Sequence, residues 1–244
     1  LFRSSESTVV RFANTLGFDG YRELQKELQE LIKNKLTTVQ RISLSNDFTD
    51  YENVLKQVVK KDIDNMERTF NEMDYDDFEN AVKMTLEADT VYIIGLRSSS
   101  FLAGYLAFYL TFLLDDVKLI NTGPNDVFEQ LLKGNENDVI IGISYPRYSK
   151  RTLEALDYGK EKGCKIIGIT DSLLSPAAQY ADATLIASSN MLSFVDSLVA
   201  PMSLINGFIV ALGMEKKEDI TSNFEDLEYI WKKHNVYTTN NKKD

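Results

Sequence analysis

Two short segments of the sequence combine hydroxyl side chains with arginine in a way that suits anion binding. One is GLRSSSF at residues 95–101, and the other is SYPRYSKRT at residues 144–152. Hydroxyls beside a helix N-terminus can donate hydrogen bonds to phosphate, and arginine can bind it through two parallel hydrogen bonds. Such hydroxyls are also ordinary helix caps, so the pattern leaves a structural role open. The predicted anion-binding residues are Arg97, Ser98, Ser99, Ser144, Arg147 and Ser149.

A second candidate lies near the start of the chain, in SESTVVRFANTLGF at residues 5–18. Ser5 is placed to cap a helix and Gly17 to end it. Helical spacing predicts a packed face formed by Val9, Phe12, Ala13 and Leu16. Arginine, asparagine and small hydroxyl side chains suit the DNA major groove, although a solvated amphipathic helix would show the same pattern. The predicted DNA-facing residues are Ser7, Thr8, Arg11 and Asn14.

The sequence offers little that indicates catalysis, a metal site or a membrane. Cys164 is the only cysteine and His234, in the C-terminal tail, the only histidine, which argues against a disulfide framework or a zinc site and fits a reducing cytosol. We expect no cofactor. Glu129 and Glu154 could be recruited for acid–base work, but no spacing singles them out. The longest apolar run, residues 101–114, is too short to cross a bilayer.

The elements that must position these residues are predicted by the hydrophobic pattern. Residues up to about 88 show only helical periodicity, whereas five short apolar, β-branched runs follow, separated by helical stretches. This alternation predicts a three-layer α/β fold with a five-stranded parallel sheet, in which both anion-binding segments follow strands. The predicted strands are 90–95, 117–121, 138–144, 164–170 and 183–187. The predicted helices among and after them are 99–114, 126–133, 149–162, 175–180, 197–212 and 223–233.

The N-terminal segment resembles the second half of the helix-turn-helix of RpiR-family bacterial transcriptional regulators. In that family a Ser-x-x-Thr-Val-x-Arg-Phe helix precedes Leu-Gly-Phe-x-Gly-Tyr/Phe, and residues 5–28 match this pattern. The resemblance implies that residues 5–16 are the recognition helix, that its supporting helices are missing from this chain, and that the chain binds operator DNA poorly. Residues 1–45 carry seven lysines and arginines against five acids, whereas the whole chain carries 27 against 37. Any contact with a polyanion is therefore expected at this end.

Residues 78–212 resemble the SIS (sugar isomerase) domain, the usual partner of this helix-turn-helix. GITDSLLSPAAQYADATLIA, residues 168–187, is close to the family's strand–loop–strand. The family's phosphate loop reads Ser-x-Ser-Gly-x-Thr, whereas here Pro146 and Arg147 replace its middle serine and glycine. In the preceding loop Arg97 replaces the second glycine of Gly-x-Gly-Thr/Ser-Ser. These departures suggest a more anionic ligand, such as a bisphosphate or a phosphorylated sugar acid, unless the arginines form structural ion pairs.

The resemblances imply a cytoplasmic regulator whose operator binding is controlled by a phosphorylated sugar or sugar acid. The alternatives are a SIS-type sugar-phosphate isomerase, or an interaction module with a vestigial pocket. The helix at 101–114 is rich in aromatic residues, and SIS domains usually pair, so we expect a homodimer or tetramer. The predicted divisions are 1–42 for the partial helix-turn-helix, 43–74 for a linker and helix, 75–215 for the SIS domain and 216–244 for the C-terminal helix and tail.

Overall fold

A computed structural model describes residues 6–15, 19–22, 24–25, 36–44 and 50–237. Its first part is helical and its second part alternates strands with helices. The N-terminal helices are α1 (Glu6–Thr15), α2 (Thr38–Leu44), α3 (Tyr51–Glu72) and α4 (Tyr75–Glu87). The alternating part comprises β1 (Val91–Ile94), α5 (Ser99–Leu113), β2 (Val117–Ile120), α6 (Val127–Gln130), β3 (Val139–Ile143), α7 (Lys150–Glu161), β4 (Lys165–Thr170) and β5 (Ala183–Ile186). The last helices are α8 (Val199–Glu215) and α9 (Lys217–Lys233).

The five strands form one parallel sheet in the order β2-β1-β3-β4-β5. Ile94, at the end of β1, pairs with Ile120 of β2 on one side and Gly142 of β3 on the other. The chain therefore first winds outward from β1 to β2 and then reverses across β1 to β3. Such a reversal separates the two crossover connections and opens a crevice at the carboxyl ends of β1 and β3.

Helices cover both faces of the sheet, because successive strand residues point to opposite sides. Ile93, Ile141 and Ile169 are buried on the face covered by α4, α5 and α8. Ile94, Ile140 and Ile166 are buried on the face covered by α6 and α7. The predicted three-layer αβα architecture with a five-stranded parallel sheet is confirmed.

The predicted strands match the observed ones to within a residue or two at each end, but one predicted helix does not form. Residues 175–180 form successive turns, in which Ser175 Oγ accepts a hydrogen bond from the N–H of Ala178 at 3.2 Å. The segment has only about six residues before β5, too few for its local turns to extend into a stable helix. The helix predicted at 126–133 is also shorter and ends at Gln130.

The described chain divides into two compact units. The first contains residues 1–64 and 190–197, and the second contains residues 65–189 and 198–244. The division falls within α3. The second unit holds the whole sheet and the helices that cover it, while the predicted functional boundaries at 42, 74 and 215 stay predictions.

Candidate functional site

Both predicted anion-binding segments lie at the carboxyl ends of neighbouring strands. The segment at 95–101 follows β1, the segment at 144–152 follows β3, and these strands pair directly. Open α/β sheets bind their ligands at this reversal of strand order. The structure thus brings the two loops to one edge of the sheet, where a single ligand can contact both.

The loop after β1 approaches the first turn of α5 very closely. A Cβ atom on Gly95 would lie 2.6 Å from the backbone oxygen of Ser99, so only glycine fits without displacement. The exposed Arg97 has φ of +59°, in the left-handed region that glycine favours. Its carbonyl oxygen accepts a hydrogen bond from Ser100 Oγ at 2.6 Å, which holds the turn.

The two predicted serines of this loop are placed differently. Ser98 occupies the N-cap position of α5, yet its side chain makes no capping hydrogen bond because its backbone already has helical angles. Ser99 begins the helix and is buried. The structural explanation of Ser98 as a helix cap therefore fails, and the residue is half-buried in the loop after β1.

The loop after β3 begins with buried hydroxyls that lack hydrogen-bond partners in the described part of the chain. Ser144 is 2% exposed and Thr152, in the first turn of α7, is fully buried, and the hydroxyl oxygen of each is unpartnered. The buried hydroxyl of Tyr145 is also unpartnered, and burial raises its pKa. Buried hydroxyls usually find partners, so the unpartnered hydroxyls of Ser144 and Thr152 are candidates for binding a polar ligand. Ser149, by contrast, caps α7 by accepting from the N–H of Thr152 at 3.4 Å.

Arg147 has φ of +71° and is exposed. Left-handed angles cost a residue other than glycine roughly 1–2 kcal/mol, so each loop retains a strained arginine. Lys150 and Arg151, which the sequence places beside it, are engaged elsewhere. Lys150 pairs with Glu154 at 3.3 Å, and Arg151 pairs with Asp126 and Glu154 and stacks on the ring of Phe128.

Two side-chain hydrogen bonds at this edge were missed by the sequence-based prediction. The hydroxyl of Tyr148 donates a hydrogen bond to Asp171 Oδ1, at the end of β4, at 3.0 Å. Thr170 Oγ1 donates to the carbonyl oxygen of Ser144 at 2.8 Å. Burial raises the pKa of Asp171, and desolvation followed by the charge of Asp171 raises that of Tyr148. These bonds fix the loop after β3 to the end of the next strand.

The C-terminal part of α3 contacts the residues that follow β5. The N–H of Ser188 donates to Thr69 Oγ1 at 2.8 Å, and Ser188 Oγ bonds Asn65 Oδ1 at 3.0 Å. All three residues are buried, which makes these bonds costly to break. The carboxyl-end edge of the sheet is thereby joined to α3.

The predicted DNA-facing residues lie on α1. Thr8, Arg11 and Asn14 are exposed, whereas the side chain of Ser7 lies outside the described residues, as do the predicted cap residues Ser5 and Gly17. Asn14 Oδ1 accepts from the N–H of Gly20 at 3.2 Å, so it also holds the turn after the helix. Of the predicted packed face, Ala13 is buried, Val9 is half-buried and Leu16 lies outside the described residues. Phe12 is 57% exposed, so the prediction for Phe12 is wrong. The described helices of this unit leave more than half of the Phe12 side chain uncovered.

Comparison with known proteins identifies the sheet-containing part. Residues 85–211 match the SIS domain family. The chain belongs to the SIS domain family. In this SIS protein the match covers the whole sheet and both loops of the crevice.

Relatives of the SIS protein confirm the resemblance to RpiR-type regulators. An uncharacterized HTH-type transcriptional regulator of Caldanaerobacter subterraneus is 23% identical over 234 residues, which are 93% of this chain and 81% of the relative. The sugar isomerase domain of an RpiR transcription factor from Sphaerobacter thermophilus superposes with a TM-score of 0.68 at 26% identity, covering 71% of this chain and 97% of that one. The Vibrio vulnificus NanR protein, complexed with ManNAc-6P, superposes with a TM-score of 0.67 at 17% identity, covering 97% and 84%.

Enzymes share the fold of the SIS protein as well. Phosphoheptose isomerase from Neisseria gonorrhoeae superposes with a TM-score of 0.58 at 14% identity, covering 68% of this chain and all of that one. Across the described ranges, no cluster of His, Cys, Asp and Glu has the arrangement of a metal site. Nor does any helix within those ranges have the length and hydropathy needed to span a membrane.

Proposed function

We propose that the chain is a bacterial transcriptional regulator whose SIS domain binds a phosphorylated sugar or sugar acid and thereby controls binding to operator DNA. The observation that carries the proposal is the crevice between β1 and β3, with its unpartnered buried hydroxyls at Ser144 and Thr152, in a chain related along nearly its whole length to HTH-type regulators. NanR supports the ligand class, since its SIS-like fold is complexed with a phosphorylated sugar. The proposal places the protein in the cytoplasm.

The proposed contacts follow from the chemistry of the loops. Ser144, Thr152 and Ser98 would donate hydroxyl hydrogen bonds to one phosphate at the N-terminal ends of α5 and α7. Ser99 and Ser149 would mainly position the loops, because one is buried at the helix start and the other caps α7. Thr8, Arg11 and Asn14 would face the DNA from α1, with Ser7 beside them in sequence.

Transmission would use α3, which the hydrogen bonds of Thr69 and Asn65 join to the residues after β5. Ligand binding at the neighbouring strand ends would favour one arrangement of this helix over another. Because α3 begins in the unit that carries α1, a population shift of this kind would change the fit to a palindromic operator.

The oligomer is proposed on the aromatic residues of α5. Phe101 is 72% exposed and Phe108 57% exposed, and the ring of Phe108 contacts those of Tyr109 and Phe112 at about 5 Å between centroids. Two exposed aromatic side chains seven residues apart on one helix suit an interaction surface. We assign it to a homodimer, which a regulator of a palindromic operator requires, and which could assemble further into a tetramer.

A sugar-phosphate isomerase is the second candidate, favoured by the shared fold alone. Isomerisation needs a group that moves a proton beside the sugar carbonyl. Glu129 completes the capping box of α6 by accepting from the N–H of Asp126 at 3.0 Å. Glu154 is paired with Arg151 and Lys150, which lower its pKa and so disfavour a role as a proton donor. Both carboxylates thus have structural partners.

The test separates the regulator from the enzyme. The chain is incubated with sugar phosphates in D₂O and the sugars are examined by proton NMR, while duplexes bound by the chain are selected from a random-sequence pool with and without each sugar. We expect no deuterium at the carbon next to the carbonyl, and an enrichment of a palindrome that depends on one sugar and is weak, in line with the poor operator binding expected from the sequence. Deuterium incorporation above that of a protein-free control, without any selected palindrome, would instead establish the isomerase.

A further inference from the structure

Two arginines stand at the reversal point of the sheet. Arg97 and Arg147 belong to the loops after β1 and β3, and both have positive φ. Among the residues that the structure describes, Asn235 is the only other non-glycine residue with such a φ. Each loop of the crevice therefore contains one strained arginine. Strained residues are often found where function requires a fixed side chain.

The same two side chains add positive charge to this edge of the sheet. Arg151 is paired with Asp126 and Glu154, and Lys150 shares Glu154, so the cations of α7 are largely neutralised. The guanidinium of Arg97 is exposed and makes no hydrogen bond or ion pair to any residue in the described ranges. Arg147 is exposed on the adjacent loop. A guanidinium in each loop supplies a planar set of donors that matches a carboxylate or a phosphate.

The hydroxyls beside the arginines can hold one anionic group without them. Ser144 and Thr152 have buried, unpartnered hydroxyls next to the start of α7, and Ser98 does not cap α5. Three hydroxyls at two helix starts suffice for a single phosphate. A second anionic group of the ligand can then be bound by the two exposed arginines.

We infer that the crevice selects a ligand with two anionic groups, a phosphorylated sugar acid or a sugar bisphosphate, and that Arg97 and Arg147 are the specificity-determining residues for the second group. This inference rests on the proposed function of the site. Pro146 is consistent with it, because proline lacks an N–H and leaves this loop with fewer backbone donors for the ligand. The guanidinium groups supply donors in their place.

The test compares three probes by isothermal titration: glucose 6-phosphate, 6-phosphogluconate and fructose 1,6-bisphosphate. The variants are Arg97→Gly and Arg147→Gly, which remove the guanidinium and suit the left-handed backbone, so that loss of binding does not arise from unfolding. Lys150→Ala removes one positive charge at the same edge and serves as the matched control. Arg147→Lys keeps the charge but not the fork of donors.

We expect the wild type to bind 6-phosphogluconate or the bisphosphate at least about tenfold more tightly than glucose 6-phosphate, the difference of one charged hydrogen-bond pair. Each glycine variant should lose most of that preference and keep its affinity for glucose 6-phosphate, Lys150→Ala should keep the preference, and Arg147→Lys should lose part of it. Equal affinities for all three probes, or a preference that survives both glycine variants, would overturn the inference and leave the proposed function standing. No binding of any probe would overturn both.

Discussion

The positive φ angles of Arg97 and Arg147 distinguish the two loops of the crevice from ordinary loops. Arg97 and Arg147 stand where the SIS pattern has glycine, and both keep the backbone conformation that glycine would adopt with ease. A residue with a β-carbon at such a position lowers the free energy of unfolding relative to glycine. The strain is consistent with a gain in ligand recognition, as strained residues often show.

Arg147→Gly is therefore expected to stabilise the protein. Relief of about 1–2 kcal/mol of left-handed strain outweighs the added entropy of an unfolded glycine, about 0.5–1 kcal/mol, for a net gain of roughly 0.5–1 kcal/mol. Urea denaturation measures the difference. Lys150→Gly, in the first turn of α7, is the control and should lose about 0.5–1 kcal/mol. A loss of stability in Arg147→Gly would show that the arginine side chain makes structural contacts that exceed the strain.

Asp171→Asn tests the buried contact between Tyr148 and the end of β4. Burial raises the pKa of Asp171 in the folded state, so its favourable contribution is fully present below its unfolded pKa of about 4 and is lost as the pH rises through the folded value. Asparagine can still accept the hydrogen bond from Tyr148 and carries no charge. The gain in unfolding free energy of the variant over the wild type should therefore be larger at pH 7.5 than at pH 4.

The control for Asp171→Asn is Asp157→Asn, which removes an exposed carboxylate on α7. Denaturant titrations at both pH values give the four unfolding free energies needed. A variant of Asp171 that loses stability most strongly at pH 7.5 would mean that the carboxylate is held by its charge, for example by Arg68, more strongly than it is penalised by burial.

Two helices contact the carboxyl-end edge of the sheet, and one of them also carries the proposed dimer surface. The first turn of α5 lies against Gly95. Phe101 and Phe108 of the same helix are exposed. The position of α5 thus affects both the ligand site and the proposed dimer surface. α3 adds a third connection, through the buried bonds of Thr69 and Asn65 to Ser188.

Gly95→Ala should loosen this arrangement. The new methyl group would lie 2.6 Å from the oxygen of Ser99 and 3.1 Å from the Cβ of Ala103, and such overpacking costs about 1–3 kcal/mol. Gly104→Ala, in the same helix, meets nothing within 4 Å and should instead stabilise the protein by about 0.5–1 kcal/mol. Thermal denaturation of both variants checks the opposite signs. Equal effects would show that α5 can shift away from β1 without cost.

Phe108→Glu tests the proposed dimer. A charge in the centre of an apolar interface is costly to desolvate, so the variant is expected to sediment as a monomer at concentrations where the wild type is a dimer. Leu174→Glu introduces the same charge at a side chain that is 80% exposed outside α5, and should leave the association unchanged. Analytical ultracentrifugation distinguishes the states. A Phe108→Glu variant that associates like the wild type would place the interface elsewhere.

Over the whole molecule, the sequence predicts the sheet and the position of the loops but not the detail of the site. Short continuous runs of apolar residues identify all five strands, because both faces of a parallel sheet are buried. The turns at 175–180 were missed because short helical patterns depend on local hydrogen bonds such as that of Ser175. The contact between Tyr148 and Asp171 joins residues that follow neighbouring strands and has no sequence signal. For the left-handed angles the only signal is that both arginines stand where the SIS pattern has glycine.

The resemblances to the SIS domain and to the helix-turn-helix predict different parts of the molecule. The SIS pattern is carried by strands and glycine-rich loops and is confirmed over residues 85–211. The helix-turn-helix pattern predicts an exposed polar face on α1, and Thr8, Arg11 and Asn14 are exposed there. Their roles in DNA binding stay predictions, and so do the roles of the loop residues in ligand binding.

The most direct test of the account is thermal denaturation of the chain with a panel of phosphorylated sugars and sugar acids, each beside its unphosphorylated counterpart. A ligand at about 100 times its dissociation constant adds roughly 2.7 kcal/mol to the free energy of unfolding. The account predicts a raised melting temperature with at least one phosphorylated compound, none with its unphosphorylated counterpart, and a smaller shift in Ser144→Ala. Unchanged melting temperatures across the whole panel would contradict it, as would a shift that Ser144→Ala leaves intact.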